Sequence, residues 1–244
     1  MTHTIRFWEE FATNNFPAFT HMLYDGWLLR FADGRANHNN SVWPLYAGEL
    51  PIGEKIAFCE EQFAKRGFPR CFRLAEMPGY DAIAAQLTER GYVEENPNLV
   101  LLNPSVDGPE AAITELALDE WLEVAFQIDP VDDPDLKPWQ HRVFSHSALP
   151  QRFAVVVHDR QACAYGYSTQ QGNILNLNDL WVRPDLRGQG IGAQLIHGLM
   201  RRGREDGAAI ASITVNESNA GARRLYARLG FVQRYRYSYW EREG

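Results

Sequence analysis

A chain of 244 residues with 45% hydrophobic content can bury the core of one large domain or two small ones. Its formal net charge of -7 argues against a surface that grips nucleic-acid phosphates, and no apolar stretch approaches the roughly 18 residues of a membrane span. The opening residues carry neither the basic start nor the apolar block of an export signal, so the expectation is a cytoplasmic protein with no nucleic-acid or membrane partner.

In chain order, residues 26–32 (GWLLRFA) and 40–45 (NSVWPL) have strand character on either side of a turn-rich stretch, 33–39. Ile56, Ala57, Phe63 and Ala64 recur at helical spacing and predict a helix over 54–66, ended by Gly67. A strand over 70–75, a helix over 80–90 and a strand over 98–102 follow. Residues 103–109 (NPSVDGP) have the composition of a linker, which sets the expected domains at 1–105 and 110–244.

The second domain opens with 111–117 and a helix through Trp121 to Phe126. The prolines and carboxylates of 129–135 (DPVDDPD) cannot sustain a helix. A hairpin over 153–157 and 162–168 leads to 174–182 (ILNLNDLWV), which alternates apolar and polar residues with a strand's period of two. Pro184 stops that ladder because it has no N–H to donate.

Next comes Arg187-Gly188-Gln189-Gly190-Ile191-Gly192, at the mouth of a helix whose apolar positions are Ala193, Leu195, Ile196, Leu199 and Met200. Free amides at a helix start bind anions, and glycine tolerates the positive φ angles that turn successive N–H groups inward. The run fits a pyrophosphate cradle; taken alone, it fits a glycine-rich surface turn as well. Its R-x-x-G-x-G spacing differs from the dinucleotide pattern G-x-G-x-x-G, and no Gly-Lys-Ser/Thr follows.

A short apolar strand over 208–215 separates the cradle from a second motif, Asn219-Ala220-Gly221-Ala222-Arg223-Arg224-Leu225-Tyr226-Ala227-Arg228-Leu229-Gly230-Phe231. Ser218 or Asn219 can cap this helix, and Ala222, Leu225 and Leu229 share its apolar face. Strand, R-x-x-G-x-G, helix, strand and N-x-x-A-x-x-L-Y-x-x-x-G-F together resemble the GCN5-related N-acetyltransferase (GNAT) family. The resemblance covers residues 174–232 firmly and the C-terminal half by extension.

It implies an α/β (α+β) fold of mixed, mostly antiparallel sheets flanked by helices, with a splayed strand pair that takes acetyl-CoA in the C-terminal half. By the same resemblance, Leu180, Trp181 and Val182 would pair with the pantetheine arm. Arg187, Gly188, Gln189, Gly190, Ile191, Gly192 and Ala193 would hold the pyrophosphate. Asn219 either bonds the arm or caps its helix. Tyr226 would act as general acid to the thiolate that leaves when an amine attacks the thioester; packing on the apolar face is the alternative.

The attacking amine must lose a proton, and the glutamates that relatives often carry near the cradle are replaced here by Asn176, Asn178, Thr214 and Asn216. Asp179 is the first candidate base, although strand alternation sets it opposite Leu180 and Val182. Glu217 is the second, and a water chain the third. Asp129, Asp132 or Asp133 would attract an ammonium on the acceptor side if that loop is more than a solvated turn. The implied acceptor is a small-molecule or protein amine. A non-catalytic acyl-CoA-binding module and a transferase for another acyl-CoA are the alternatives, and the chain is expected to be a monomer or homodimer.

A shift of about 139 residues lays the first half over the second, with Ile52-Gly53 on Ile191-Gly192 and Gly91-Tyr92 on Gly230-Phe231. This predicts a degenerate N-terminal repeat, with Gly48 in place of Arg187, Pro51 in place of Gly190 and Leu87 in place of Tyr226. The scattered cysteines Cys59, Cys71 and Cys163 suggest buried small hydrophobes rather than disulfides, and the histidines have no metal-ligand spacing.

Overall fold

The computed structural model describes residues 3–77 and 79–242, so 1–2 and 243–244 of the expected domains lie outside the described residues. The chain divides into two units. The N-terminal unit runs to Leu99 and also takes Asn216–Ser218 and the chain from Arg234 on, while the C-terminal unit holds Val100–Val215 and Asn219–Gln233.

The N-terminal unit begins with α1 (Ile5–Asn15), capped by Thr4, whose Oγ1 accepts the Phe7 N–H at 3.3 Å. Strands β1 (Thr20–Tyr24), β2 (Trp27–Phe31) and β3 (Val42–Pro44) precede α2 (Ile52–Ala64), β4 (Cys71–Ala75), α3 (Asp81–Glu89) and β5 (Val93–Asn103). β1, β2 and β3 pair antiparallel in sequence, and β3 meets β4 in parallel. Trp27, Leu29, Ile56, Phe63 and Phe72 pack together as the core between this sheet and its helices. All three cysteines are buried and unpaired, as their spacing suggested.

The C-terminal unit starts with β6 (Thr114–Leu116), α4 (Leu118–Ile128) and α5 (Leu136–Ser145), followed by β7 (Gln151–His158), β8 (Gln161–Gln171) and β9 (Ile174–Val182). The β7–β8 hairpin turns on Asp159 and Arg160, both at positive φ, as a two-residue loop of the mirror-image type requires. Then come α6 (Ile191–Glu205), β10 (Ile210–Asn216), α7 (Ala220–Arg228) and β11 (Val232–Glu241). Strand order in this unit is β10-β9-β8-β7-β6, with Trp121, Phe144, Phe153 and Tyr167 clustered under α4.

The mixed α/β sheet architecture is the expected one, and the repeat is visible in it. α2, β4, α3 and β5 start at Ile52, Cys71, Asp81 and Val93, and α6, β10, α7 and β11 start 139 residues later at Ile191, Ile210, Ala220 and Val232. In one respect the chain departs from a simple division at the linker. β11 pairs antiparallel with β4, Tyr237 opposite Ala75 through Glu241 opposite Cys71, and lies between β4 and β5, so the last strand is inserted into the N-terminal unit's sheet.

Candidate active site

β9 pairs in parallel with β10 from Ile174 opposite Ile210 to Leu177 opposite Ile213, and the ladder ends there although both strands continue. On its other side β9 stays paired with β8 as far as Val182 opposite Ala164. The β9 edge from Asn178 to Val182 thus presents main-chain donors and acceptors with no neighbouring strand, which a bound group must satisfy if water is to leave.

Within that edge the ladder passes from Tyr167 opposite Asn178 to Tyr165 opposite Trp181, so Asp179 and Leu180 together face Gly166. This bulge holds Asp179 at φ +47° and breaks the period-two alternation. The expected separation of Asp179 from Leu180 onto opposite faces is corrected accordingly: Asp179, Leu180 and Trp181 line one small pocket.

Beyond β9 the chain makes one turn at Pro184–Leu186 and enters α6 through Gly188 at φ +82° and Gly190 at φ +86°. Gly190 is the N-cap residue of α6; no side chain caps the helix, and its first turn carries no acid. The first amides of a 15-residue helix therefore face outward without a protein acceptor from a side chain, at the positive end of its dipole.

The same region of the N-terminal unit is built differently. There the Asp25 carboxylate accepts the N–H of Glu49 at 2.8 Å and that of Leu50 at 2.9 Å, the residues that the 139-residue shift lays over Gly188 and Gln189. A Cβ at Gly48 would lie 2.2 Å from Asp25 Oδ2, so glycine is needed for this approach. In the N-terminal copy a carboxylate takes these two amides, whereas no side chain caps the start of α6 in the C-terminal copy.

Of the residues expected to hold the cofactor, all but Gln189 line one cleft of about 570 Å³. Leu180, Trp181 and Val182 come from β9, and Arg187, Gly188, Gly190, Ile191, Gly192 and Ala193 from the turn and α6. Asn219 and Tyr226 come from α7, while Gln189 is exposed outside the lining. The Arg187 guanidinium lies over the Trp181 ring at 4.8 Å, and its Nε donates to the Val182 carbonyl at 3.1 Å. Asn219 Oδ1 accepts the Ala222 N–H at 3.0 Å, so the helix cap is made, and the side-chain NH₂ is left for another partner.

Tyr226 is 7% exposed, and burial pushes its hydroxyl up to about 12. Its ring packs near Phe231, centroids 6.0 Å apart. Two cations escaped the sequence reading: Arg224 and Arg228 also line the cleft. Arg224 and Arg228 stand four residues apart on α7, and only the fold shows that both turn toward the cleft.

Asp179 opens on the adjoining pocket, yet the protein packed around its carboxyl raises it to about 6 by desolvation. Asp129 lines the same pocket, whereas Asp132 and Asp133 do not. Glu217 is placed elsewhere: it groups with the N-terminal unit, and its Oε2 lies 3.2 Å from Arg236 Nε. Among the described residues no helix is long and apolar enough to cross a membrane.

Comparison with known proteins follows the same lines. Residues 111–231 match the model of the acetyltransferase (GNAT) family. An uncharacterized N-acetyltransferase of Bacillus subtilis is 25% identical over 237 residues, covering 93% of this chain and 94% of the relative. A GCN5-related N-acetyltransferase from Kribbella flavida has a similar fold, with TM-score 0.71, 16% identity and coverage of 98% and 95%. A tandem GNAT protein from the clavulanic acid biosynthesis pathway aligns with TM-score 0.61 at 14% identity, over 75% of this chain and 67% of its own.

Proposed function

Through residues 111–231 this chain belongs to the acetyltransferase (GNAT) family of acyltransferases, and from that premise we propose that it moves an acetyl group from acetyl-CoA directly to a primary amine. Members of the family use acetyl-CoA as co-substrate. The observation that carries the proposal is the meeting of three features in one cleft: an unpaired β9 edge, an uncapped α6 start and the Tyr226 phenol.

Each part of the cleft fits a different part of that co-substrate. The open edge at Leu180, Trp181 and Val182 offers main-chain hydrogen bonds to the amides of a pantetheine arm. The amides entering α6 suit a pyrophosphate, and Arg187, Arg224 and Arg228 add positive charge beside it.

Asp179 takes the proton of the incoming ammonium, since a carboxyl near 6 is mostly ionised at neutral pH and is a stronger base than an ordinary aspartate. Tyr226 donates a hydrogen bond to the leaving sulfur. Its hydroxyl, at about 12, is far less acidic than a thiol of about 8.5, so it acts through the hydrogen bond, which strengthens as the C–S bond breaks and charge collects on sulfur, and the thiolate takes its final proton from solvent. The products are the acetylated amine and the free thiol, with one proton released in all.

Calorimetric titration with CoA and a thiol-release assay with an amine panel test the proposal. Tyr226→Phe is expected to lower kcat by about 10- to 100-fold with little change in CoA affinity. Loss of CoA binding with unchanged kcat would remove Tyr226 from the chemistry, and failure of the wild-type chain to bind CoA would remove the proposal itself.

A further inference from the structure

Beside the cleft, and sharing Leu180 and Trp181 with it, lies a pocket of about 220 Å³ in the C-terminal unit. Four rings wall it: Trp121, Phe126, Tyr165 and Trp181. Trp121 is held edge-on to Tyr165 with centroids 5.5 Å apart and is itself fully buried, so this wall is fixed by the core beneath it. Asp129 and Asp179 are the pocket's charged lining residues, and no lysine, arginine or histidine lines it. Neither carboxylate has an ion-pair partner among the described residues.

That composition selects by charge. Two unpaired carboxylates among aromatic faces favour a cation, which gains from both the charges and the ring quadrupoles. An acid group brought into the same space would meet like charges with no cation to answer it, the kind of mismatch by which binding sites reject near-analogues.

We propose that the acceptor is a compact organic amine that bears no acid group, its ammonium held between Asp179 and Asp129 and its hydrocarbon body lodged among Trp121, Phe126, Tyr165 and Trp181. The proposal rests on the acetyl-transfer reading and adds the acceptor's chemical class. Amines of this kind are preferred over the α-amino acids from which decarboxylation would produce them.

Matched pairs make the test: phenethylamine against phenylalanine, and cadaverine against lysine, with saturating acetyl-CoA and thiol release as the readout. The expected result is a kcat/KM at least 10-fold higher for the amine in each pair, with the preference narrowed in Asp129→Asn. Tryptophan fluorescence, which reports Trp121 and Trp181, is followed in parallel as each amine is titrated in. An amino acid used as well as its amine overturns the proposal. So does a chain that binds CoA but neither turns over nor senses any of the four compounds, an outcome that leaves the cofactor assignment standing. A fluorescence response to the amines alone, without turnover, supports the pocket and moves the failure to the chemistry. No CoA binding brings down the acetyl-transfer reading and this proposal together.

Discussion

The ammonium of Lys55 lies 3.1 Å from Asp25 Oδ2, and the Lys55 side chain is fully buried. Lys55 also donates to the carbonyls of Asp25 at 2.7 Å and Ala47 at 2.5 Å, so the cation is satisfied only while the Asp25 loop stays in place. Asp25 meanwhile occupies the two amides whose counterparts in the other repeat, at the uncapped start of α6, are proposed to take the pyrophosphate. One chain is therefore expected to bind one CoA, as calorimetric stoichiometry will show.

Replacing Asp25 by Ala leaves the buried Lys55 charge without its counter-ion and is expected to lower Tm by several degrees. The amides of Glu49 and Leu50, and then Lys55, hold the Asp25 carboxyl below its ordinary range. Its stabilisation is thus complete above the usual carboxylate pKa and disappears as pH falls through the lowered folded value. The Tm difference between wild type and Asp25→Ala should close at the acid end of a pH series. A gap that stays constant with pH would contradict the assignment.

The strand, glycine turn and helix start of the proposed cradle were legible in sequence because they rest on local rules of strand alternation, glycine spacing and helix periodicity. The repeat was legible too, since its elements keep their lengths over a 139-residue shift. Other parts depend on tertiary pairing. β11 reads as the end of the second domain, but its partner is β4, a choice that no local pattern encodes. α5 follows an acidic, proline-rich run and carries Pro138 in its first turn, where proline is tolerated, so the apolar positions Trp139, Val143 and Phe144 were the only sign of it. The bulge that turns Asp179 into the aromatic pocket comes from a register shift opposite Gly166 and is invisible to a period-two reading.

Asp179 carries a pH prediction. Its carboxyl must be ionised to accept a proton, so kcat/KM should fall as pH drops through about 6 and level off above it. Asp179→Asn should remove that inflection and lower the plateau by about 10²-fold. Stability should move the other way. A carboxyl whose folded value is raised favours the folded state when protonated and loses that contribution as pH rises through about 6. Asp179→Asn is accordingly expected to raise Tm most at pH 8, by less at pH 5, and hardly at all below the ordinary aspartate value of 3.8. An unaltered pH–rate profile in the variant would return the base to a water chain.

Gly190 tests the cradle. It sits in the left-handed region at φ +86°, and a Cβ there would meet no protein atom within 4 Å. The stability cost of Gly190→Ala is therefore the backbone term alone, about 1–2 kcal/mol. The added methyl would stand at the entry to α6, where a phosphate must come close to the main chain. CoA affinity should fall by more than stability can account for, about 10-fold or more at temperatures where the variant is fully folded. Equal affinity would place the pyrophosphate elsewhere.

A buried ion pair in the N-terminal unit supports a prediction on stability that is independent of catalysis. Glu9 meets Arg73 through two bonds, Nε to Oε2 at 2.8 Å and Nη2 to Oε1 at 2.7 Å, and its Oε1 also accepts the Tyr235 hydroxyl at 2.6 Å. All three side chains are buried, which makes the loss of one partner expensive. Glu9→Gln keeps the shape but turns an NH₂ toward donors and leaves Arg73 without a counter-charge. The expected loss is about 3–5 kcal/mol in urea denaturation, a large part of the 5–15 kcal/mol typical of a domain. Removing both charges in Glu9→Leu/Arg73→Met should cost less than the sum of the single changes, because neither charge is then left buried alone. Strict additivity would mean that the pair is solvated in the folded chain, contrary to the burial of both groups.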